Sequence, residues 1–211
     1  MRLSKLSLIT FIISLSLSQL LWADSFDNPE AKNWQLKVNN NDVLVHTRKL
    51  DSSNYHVVRL VAEVESTPEN IVVAFGKGEG CVSWLAVCIS SKVIKKTSDD
   101  NTLIYSVMRM PWPLQTRDNV YRSVTQRFKQ SGVITSTQTS EPGNYPKKNY
   151  IRMLTKSKFV LEPINPTRSK ITWYVHPNLG GNAFPSIVNP KAYKETLRDL
   201  LALKRLVETG Q

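Results

Sequence analysis

Side chains suited to catalysis are few in this sequence of 211 residues. The three histidines, His46, His56 and His176, lie far apart, and no Gly-x-Ser-x-Gly turn presents a nucleophilic serine. A hydrolytic site needs a nucleophile with a base, paired carboxylates or a metal, but the acidic residues fall mainly in predicted turns and helix ends. The sequence therefore predicts a protein that is not an enzyme, with no catalytic residue, no metal site and no cofactor.

Arg117 and Asp118 are an adjacent pair that could be interpreted as catalytic. Neighbouring residues on a strand point to opposite faces, so the two side chains cannot act on one substrate atom from a strand. We expect Asp118 to accept backbone hydrogen bonds at a turn, and Arg117 to anchor the loop that contains Trp112.

The first 23 residues have the pattern of a signal peptide. Arg2 and Lys5 precede an apolar run of 16 residues diluted by serines, and Ala23 suits the position before a cleavage site. The alternative is a membrane anchor, for which this run is short. We expect secretion across the inner membrane and a periplasmic location, with residues 24–211 forming a single domain.

Removing 23 of the 211 residues leaves 188, and the loss of Arg2 and Lys5 lowers the formal net charge from +11 to +9. An exported basic protein meets anionic lipid surfaces more readily than nucleic acid. We predict an anionic membrane as a partner, no nucleic acid and a monomer. The alternative is that the charge only keeps the protein soluble.

Cys81 and Cys88 are the only cysteines in the chain. An even number in an exported protein favours a disulfide, and Gly76, Gly78 and Gly80 give the preceding segment freedom to bring the two together. A zinc site would need further ligands at short spacing, which the sequence lacks.

Alternating and turn-separated apolar residues predict a sheet of successive antiparallel strands. The predicted strands are residues 34–38, 43–49, 55–65, 88–97, 101–110, 118–129, 132–139, 148–161 and 170–176. A short helix should start at Pro68 with Thr67 as its N-cap, and a long amphipathic helix should run from Pro190 to about Glu208, capped by Asn189 and ended by Gly210. The fold class is therefore α+β, with a curved antiparallel sheet wrapped around the C-terminal helix.

A sheet of this size cannot bring every inward side chain against one helix, which predicts a cavity between them. Methionines and a tryptophan suit a pocket for flexible apolar cargo, although core packing is the alternative reading for several residues. Arg109 and Arg122 could meet an anionic headgroup or lie on the solvated face. The candidate ligand-binding residues are Leu60, Ala62, Met108, Arg109, Met110, Val120, Arg122, Val124, Ile151, Met153, Ile171, Trp173, Tyr193, Leu197 and Leu201.

Three passages, in this order and spacing, resemble the START lipid-transfer family over residues 34–207. They are Cys81-Val82-Ser83-Trp84 with the strand after it, Met110-Pro111-Trp112-Pro113 with Arg117-Asp118, and Gly180-Gly181 with Phe184-Pro185 and Asn189. The resemblance implies a helix-grip fold and a tunnel under the C-terminal helix for lipids, sterols or other apolar cargo. Some animal members carry an acid in the tunnel, and the strand at 102–110 has none.

The function expected is binding, and with it transfer, of a hydrophobic molecule. Glycines in the loop at 177–190 predict a hinge, and basic side chains of the helix could hold the opening against an anionic bilayer or be its solvated face. Those side chains are Lys191, Lys194, Arg198, Lys204 and Arg205. Two alternatives stay open, namely an envelope-binding protein that uses its basic surface and a small hydrolase or cyclase on the same fold.

Overall fold

The computed structural model describes residues 25–40, 43–76, 80–146 and 149–210. The predicted signal peptide and part of the turn at 39–42 lie outside the described residues. The described chain contains the helices α1 (Pro68–Gly76) and α2 (Pro185–Thr209). Its strands are β1 (Gln35–Asn39), β2 (Val43–Leu50), β3 (Ser53–Val64), β4 (Cys88–Ser98), β5 (Asn101–Met108), β6 (Arg117–Phe128), β7 (Val133–Ser140), β8 (Ile151–Arg152), β9 (Lys156–Pro163) and β10 (Ser169–His176).

The strands form one curved sheet in the order β1-β2-β3-β10-β9-β7-β6-β5-β4, with the two-residue β8 beside β6. Every pairing is antiparallel except the short one between β8 and β6. The predicted antiparallel sheet is confirmed, but it is not one continuous meander. After β3 the chain leaves the middle of the sheet through α1 and re-enters at the far edge as β4.

The apolar alternation of β3 forms the centre of the hydrophobic core. Val58, Leu60, Ala62 and Val64 are buried on its inner face, as the period of two predicts. They pack in a cluster with strands β2, β9 and β10 and with both helices. This core lies under the C-terminal half of α2, where Leu200 and Leu203 are fully buried, and it leaves the N-terminal half of the helix over a different part of the sheet.

The short helix α1 begins as the sequence predicts. The Thr67 Oγ1 accepts a hydrogen bond from the Asn70 backbone N–H at 3.2 Å, and Pro68 occupies the first turn, where its missing N–H costs nothing. Ile71 is fully buried in the core. The helix therefore covers the inner face of the sheet that α2 does not reach.

The long helix α2 starts five residues before the predicted position. Pro185 stands in the first turn, and Pro190 lies inside the helix. The Asn189 side chain, predicted as the N-cap, instead accepts from the His56 N–H and donates to the Asn54 carbonyl, both at 3.0 Å. Gly210 adopts the left-handed conformation at the C-cap with φ of 73°, which confirms the predicted end.

The strand predicted over 148–161 is two strands, because residues 153–155 leave the ladder between β8 and β9. The Met153 N–H donates to the Asp118 carbonyl at 2.8 Å, and the Leu154 N–H donates to the Asn178 carbonyl at 2.9 Å. These bonds satisfy the backbone of the break and turn Met153 inward. Within the described ranges, neither helix combines the length and apolar character that a membrane span requires.

Candidate functional site

A cavity of about 230 Å³ lies between the N-terminal half of α2 and the concave face of the sheet. Apolar side chains dominate its surface. They come from α2 and the loop before it, from the loop before β4, from β5 and the β5–β6 loop, from β10 and from the break between β8 and β9. The lining includes Trp84, Leu85, Val87, Met108, Met110, Leu114, Met153, Trp173, Val175, Leu179, Ile187, Val188 and Ala192.

The loop before β4 forms one wall and is closed by the Cys81–Cys88 disulfide. The predicted pairing is thereby confirmed. Trp84, Leu85 and Val87, all inside this covalent ring, line the cavity. The ring is also tied to α2, because the Ala86 N–H donates to the Asp199 Oδ1 at 3.3 Å.

Aromatic rings close the inner end of the cavity. The Trp173 ring stacks on Phe159 with centroids 4.9 Å apart and meets Trp84 edge-on at 5.4 Å. The Trp173 Nε1–H donates to the Ser157 Oγ at 2.8 Å, so the indole is both packed and hydrogen-bonded. Together these contacts make a rigid wall where the cavity meets the core.

The sheet side of the cavity carries polar side chains from β6, β7 and the segment before β9. The Asn119 Nδ2 donates to the Thr155 Oγ1 at 2.9 Å, and the Ser140 Oγ donates to the Asn119 Oδ1 at 2.7 Å. Gln138 and Tyr121 lie on the same wall. Burial raises the pKa of Tyr121 to about 12, so its hydroxyl stays protonated.

Three charged residues of α2, Lys191, Glu195 and Asp199, face the cavity at intervals of one helical turn. Asp199 is the buried one, and burial raises the pKa of its carboxyl to about 6. The Glu195 carboxylate pairs with Arg198 at 2.5 Å, while Lys191 is exposed. The buried carboxylate is therefore the principal charge on the helix wall.

The cavity opens between the β5–β6 loop and the first turns of α2. Pro111, Trp112 and Pro113 line it from the loop, and the Trp112 side chain is 90% exposed. Phe184, immediately before α2, is 62% exposed. Two large apolar side chains thus stand in solvent beside the opening.

Arg117 and Asp118 do point in different directions. The Arg117 Nε donates to the Leu179 carbonyl at 3.0 Å and its Nη1 donates to the Gln115 carbonyl, so Arg117 anchors the β5–β6 loop as predicted. The Asp118 carboxylate departs from the prediction. It accepts two hydrogen bonds from the buried Arg152 guanidinium, at 2.7 and 3.0 Å, a partner that lies 34 residues away in the sequence.

Gly180 and Gly181 allow close packing in the loop between β10 and α2. Their φ angles are 65° and 55°, and a Cβ on Gly180 would lie 2.3 Å from the Arg152 carbonyl oxygen. The loop itself spans residues 177–184, because the rest of the predicted hinge at 177–190 belongs to α2. The glycines therefore have a packing role beside the cavity.

The predicted ligand-binding residues separate into those that line the cavity, those packed in the core and those that lie elsewhere. Met108, Met110, Met153 and Trp173 line the cavity. Six others are inward-facing but are packed in the core beyond it, so they do not line it: Leu60, Ala62, Ile171, Tyr193, Leu197 and Leu201. Their predicted ligand-binding role is corrected to core packing, because all six belong to or pack against the hydrophobic core cluster.

The face predicted for β6 is wrong. Asn119 and Tyr121 point into the cavity, so Val120, Arg122 and Val124 lie on the opposite face. The Arg122 Nε donates to the Glu141 carboxylate at 2.6 Å.

Arg109 and Ile151 also lie away from the cavity lining. Arg109 is exposed, and the nearest side-chain atom of Ile151 is 2.9 Å from where a Cβ on Gly181 would stand. Neither arginine of the candidate set reaches the cavity.

Several lining residues were missed by sequence reasoning. Ile187 and Val188 were missed because the helix was predicted to start at Pro190, and Ala192, inside the predicted helix, was not among the candidates. Asn119, Gln138 and Asp199 are polar, and no periodicity distinguishes a polar residue in a cavity from one in solvent. Across the described residues, no three His, Cys, Asp or Glu side chains gather as a metal site.

The fold and cavity define a helix-grip protein, in which a curved sheet encloses a C-terminal helix. Residues 28–211 match the model of the START domain, and the chain belongs to that family.

Its relatives include an uncharacterised protein of Pseudomonas aeruginosa, which is 25% identical over 86% of this chain and 90% of its own. Among solved structures, a STAR-related lipid transfer protein from Xanthomonas axonopodis is similar, with a TM-score of 0.77 and 20% identity over 83% of this chain and 99% of its own. Human StAR-related lipid transfer protein 5 also has a TM-score of 0.77, with 18% identity over 97% of both chains. These similarities support the same fold.

Proposed function

We propose that this START protein binds a lipid or another apolar molecule in the cavity under α2, without turning it over. The observation that carries the proposal is a cavity lined largely by methionine, leucine, valine and tryptophan side chains beneath one helix. Such surfaces gain free energy when an apolar ligand replaces water. The lipid-transfer names of the two structural relatives support the same class of ligand.

Filling the cavity tests the proposal. Met153 is buried on the cavity wall, so Met153→Trp should reduce uptake of a fluorescent fatty acid at least about tenfold, because the added ring volume occupies ligand space. Val124→Trp is the matched control, since Val124 lies on the opposite face of the sheet and outside the cavity. Equal uptake by the wild type and both folded variants would place binding elsewhere.

Native mass spectrometry with organic extraction then separates binding from catalysis. We expect a co-purifying apolar molecule that is recovered unchanged after incubation with excess protein. Steady conversion of the extracted molecule would favour the hydrolase or cyclase alternative instead.

We further propose that the protein exchanges its cargo with an anionic membrane through the opening at Trp112. Exposed Trp112 and Phe184 supply apolar contacts, and Lys191 and Lys194 supply positive charge on the first turns of α2. Lys204, by contrast, pairs with Glu208 at 2.7 Å, and Arg198 pairs with Glu195. Those two basic residues of the predicted set are thus engaged within the helix.

We also propose that the protein acts as a monomer in the periplasm. Support comes from the Cys81–Cys88 disulfide, since such bonds persist in oxidising compartments. The basic character of the mature chain suits an anionic envelope surface.

A further inference from the structure

The cavity has two chemically different walls. Its inner end is aromatic and aliphatic, whereas the wall formed by β6, β7 and the start of β9 carries Asn119, Tyr121, Gln138, Thr155 and Ser157. Asn119, Tyr121, Gln138 and Ser157 alternate with outward-facing residues of their strands, so the strand register fixes their inward direction. Thr155 lies in the segment just before β9. A ligand in the cavity would meet hydrocarbon at one end and hydrogen-bonding groups along one side.

Several polar groups on this wall retain unused hydrogen-bonding capacity within the described part of the chain. The Gln138 side-chain amide has no partner there, so it offers both a donor and an acceptor. The Ser157 Oγ accepts from the Trp173 indole, which leaves its hydroxyl proton available for donation. The Thr155 Oγ1 accepts from Asn119 and also lies 3.5 Å from the Ser140 Oγ, so its hydroxyl is already engaged within the wall.

The helix wall opposite adds a strong acceptor. The Asp199 Oδ1 accepts from the Ala86 N–H, and the Arg198 Nε is 4.0 Å from the same oxygen. Among the described residues no hydrogen bond reaches Oδ2. A carboxylate oxygen at the cavity surface thus remains open to a donor.

Charge on the walls disfavours an anionic ligand. Of the lining residues described, Lys191 is the sole cation, and it is exposed at the opening. Arg109 and Arg122, the other candidates for meeting an anion, do not line the cavity. A phosphate or carboxylate enclosed beside Asp199 would therefore lack a cationic partner and face a like charge.

We propose that the ligand is an uncharged amphiphile whose head group carries hydroxyls, with Asp199 accepting from the head and Gln138 and Ser157 completing its hydrogen bonds. This inference rests on the proposed function, because it specifies the head group of the molecule that the cavity binds. Anionic lipids remain suited to the outer surface beside the opening.

Three probes with the same saturated acyl chain test the inference: a monoacylglycerol, the free fatty acid and its methyl ester. Binding is measured at about pH 8, where the fatty acid and Asp199 are both ionised. The wild type should bind the monoacylglycerol about tenfold more tightly than either other probe, because the acid meets a like charge and the ester has no donor.

Two variants assign the preference to residues. Asp199→Asn keeps the shape but removes the charge, so the ratio between monoacylglycerol and fatty acid should fall to about one-third of its wild-type value or lower. Gln138→Leu should reduce the ratio between monoacylglycerol and methyl ester to a similar extent. Gln126→Leu, the same chemical change on the opposite face of the sheet, should leave both ratios unchanged.

The outcomes separate this inference from the proposed function. If all three probes bind equally, or the fatty acid binds most tightly, the head-group inference is overturned while apolar binding stands. If no probe binds, the proposed function fails and the inference with it. Ratios unchanged by Asp199→Asn and Gln138→Leu would remove these residues from head-group recognition.

Discussion

Asp199 is held in the folded protein at an energetic cost. Burial raises its carboxyl pKa from the ordinary value of 3.8 to about 6, despite the hydrogen bond from the Ala86 N–H. The folded state therefore binds the proton more tightly than the unfolded state, and stability falls as pH rises between about 4 and 6. Each pKa unit corresponds to about 1.4 kcal/mol of difference in proton binding between the folded and unfolded states. The raised pKa of Asp199 therefore lowers the free energy of unfolding by about 3 kcal/mol at neutral pH.

Replacing this carboxylate should stabilise the protein. Asp199→Asn keeps an oxygen for the Ala86 N–H but carries no charge, so its free energy of unfolding should exceed that of the wild type by about 1–3 kcal/mol near pH 7.5. Near pH 4 the difference should shrink, because wild-type Asp199 is then protonated in the folded state. Urea unfolding at both pH values measures the two differences.

Glu195→Gln is the control for this prediction. It makes the same chemical change one turn earlier, on a side chain that is half exposed, so its effect on stability should be small at both pH values. A gain for Asp199→Asn that does not vary with pH would contradict the assigned pKa. A gain at neutral pH would indicate that the carboxylate is retained for a reason other than stability.

Residue-level prediction succeeded where the chemistry was local. Two cysteines seven positions apart could be paired from the sequence, and Thr67 could be recognised as a cap from its neighbours. The bond between Asp118 and Arg152 could not, because it depends on how β8 is placed beside β6. The face of β6 that lines the cavity could not be predicted either. Val120 is apolar and fully buried, yet it lies on the face opposite the cavity. The apolar residues of β6 therefore do not indicate which face points inward.

At the scale of elements, the β5–β6 loop and the start of α2 form the opening and should determine membrane binding. Trp112→Ala combined with Phe184→Ala should weaken binding to vesicles rich in anionic lipid about tenfold or more, because burial of such a side chain contributes about 1.5–3 kcal/mol. Vesicle co-sedimentation measures this effect, and added salt should weaken wild-type binding further.

Phe128→Ala provides the comparison for the vesicle experiment. Phe128 is 50% exposed but stands at the end of β6 farthest from Arg117 and its loop, so its removal should leave vesicle binding intact. A loss equal to that of the double variant would indicate general surface hydrophobicity instead of a specific membrane-facing opening.

Element boundaries were predictable where turn residues mark them and failed where tertiary contacts decide. The strands flanking the turn at 98–101 lie close to their predicted positions. The start of α2 was misplaced because Pro190 suits a first turn, whereas Asn189 is recruited by the backbone of residues 54 and 56. The break at 153–155 is stabilised by hydrogen bonds to the carbonyls of Asp118 and Asn178. Both acceptors are distant in the sequence, so no local pattern predicts the break.

At the scale of the whole molecule, export should change the mass of the mature protein in two ways. Protein recovered from the periplasm should lack residues 1–23 and be lighter by two hydrogens than the reduced chain, because the signal segment is removed and the disulfide forms. Intact-mass spectrometry before and after reduction and alkylation measures both changes. Recovery of the full-length chain in the membrane fraction would support the anchor alternative.

The sheet is two strand groups joined along one seam, where β3 pairs with β10 from Val64 opposite Ser169 to Val58 opposite Val175. These partners are more than a hundred positions apart in the chain, so loop-closure entropy must be overcome before the seam contributes stability. During synthesis, β1 to β3 are made long before β10. Leu60 and Ala62 of β3 would therefore stay exposed to water until β10 is available to pair with them. We therefore expect the pairing of β3 with β10 to form only after β10 has been synthesised.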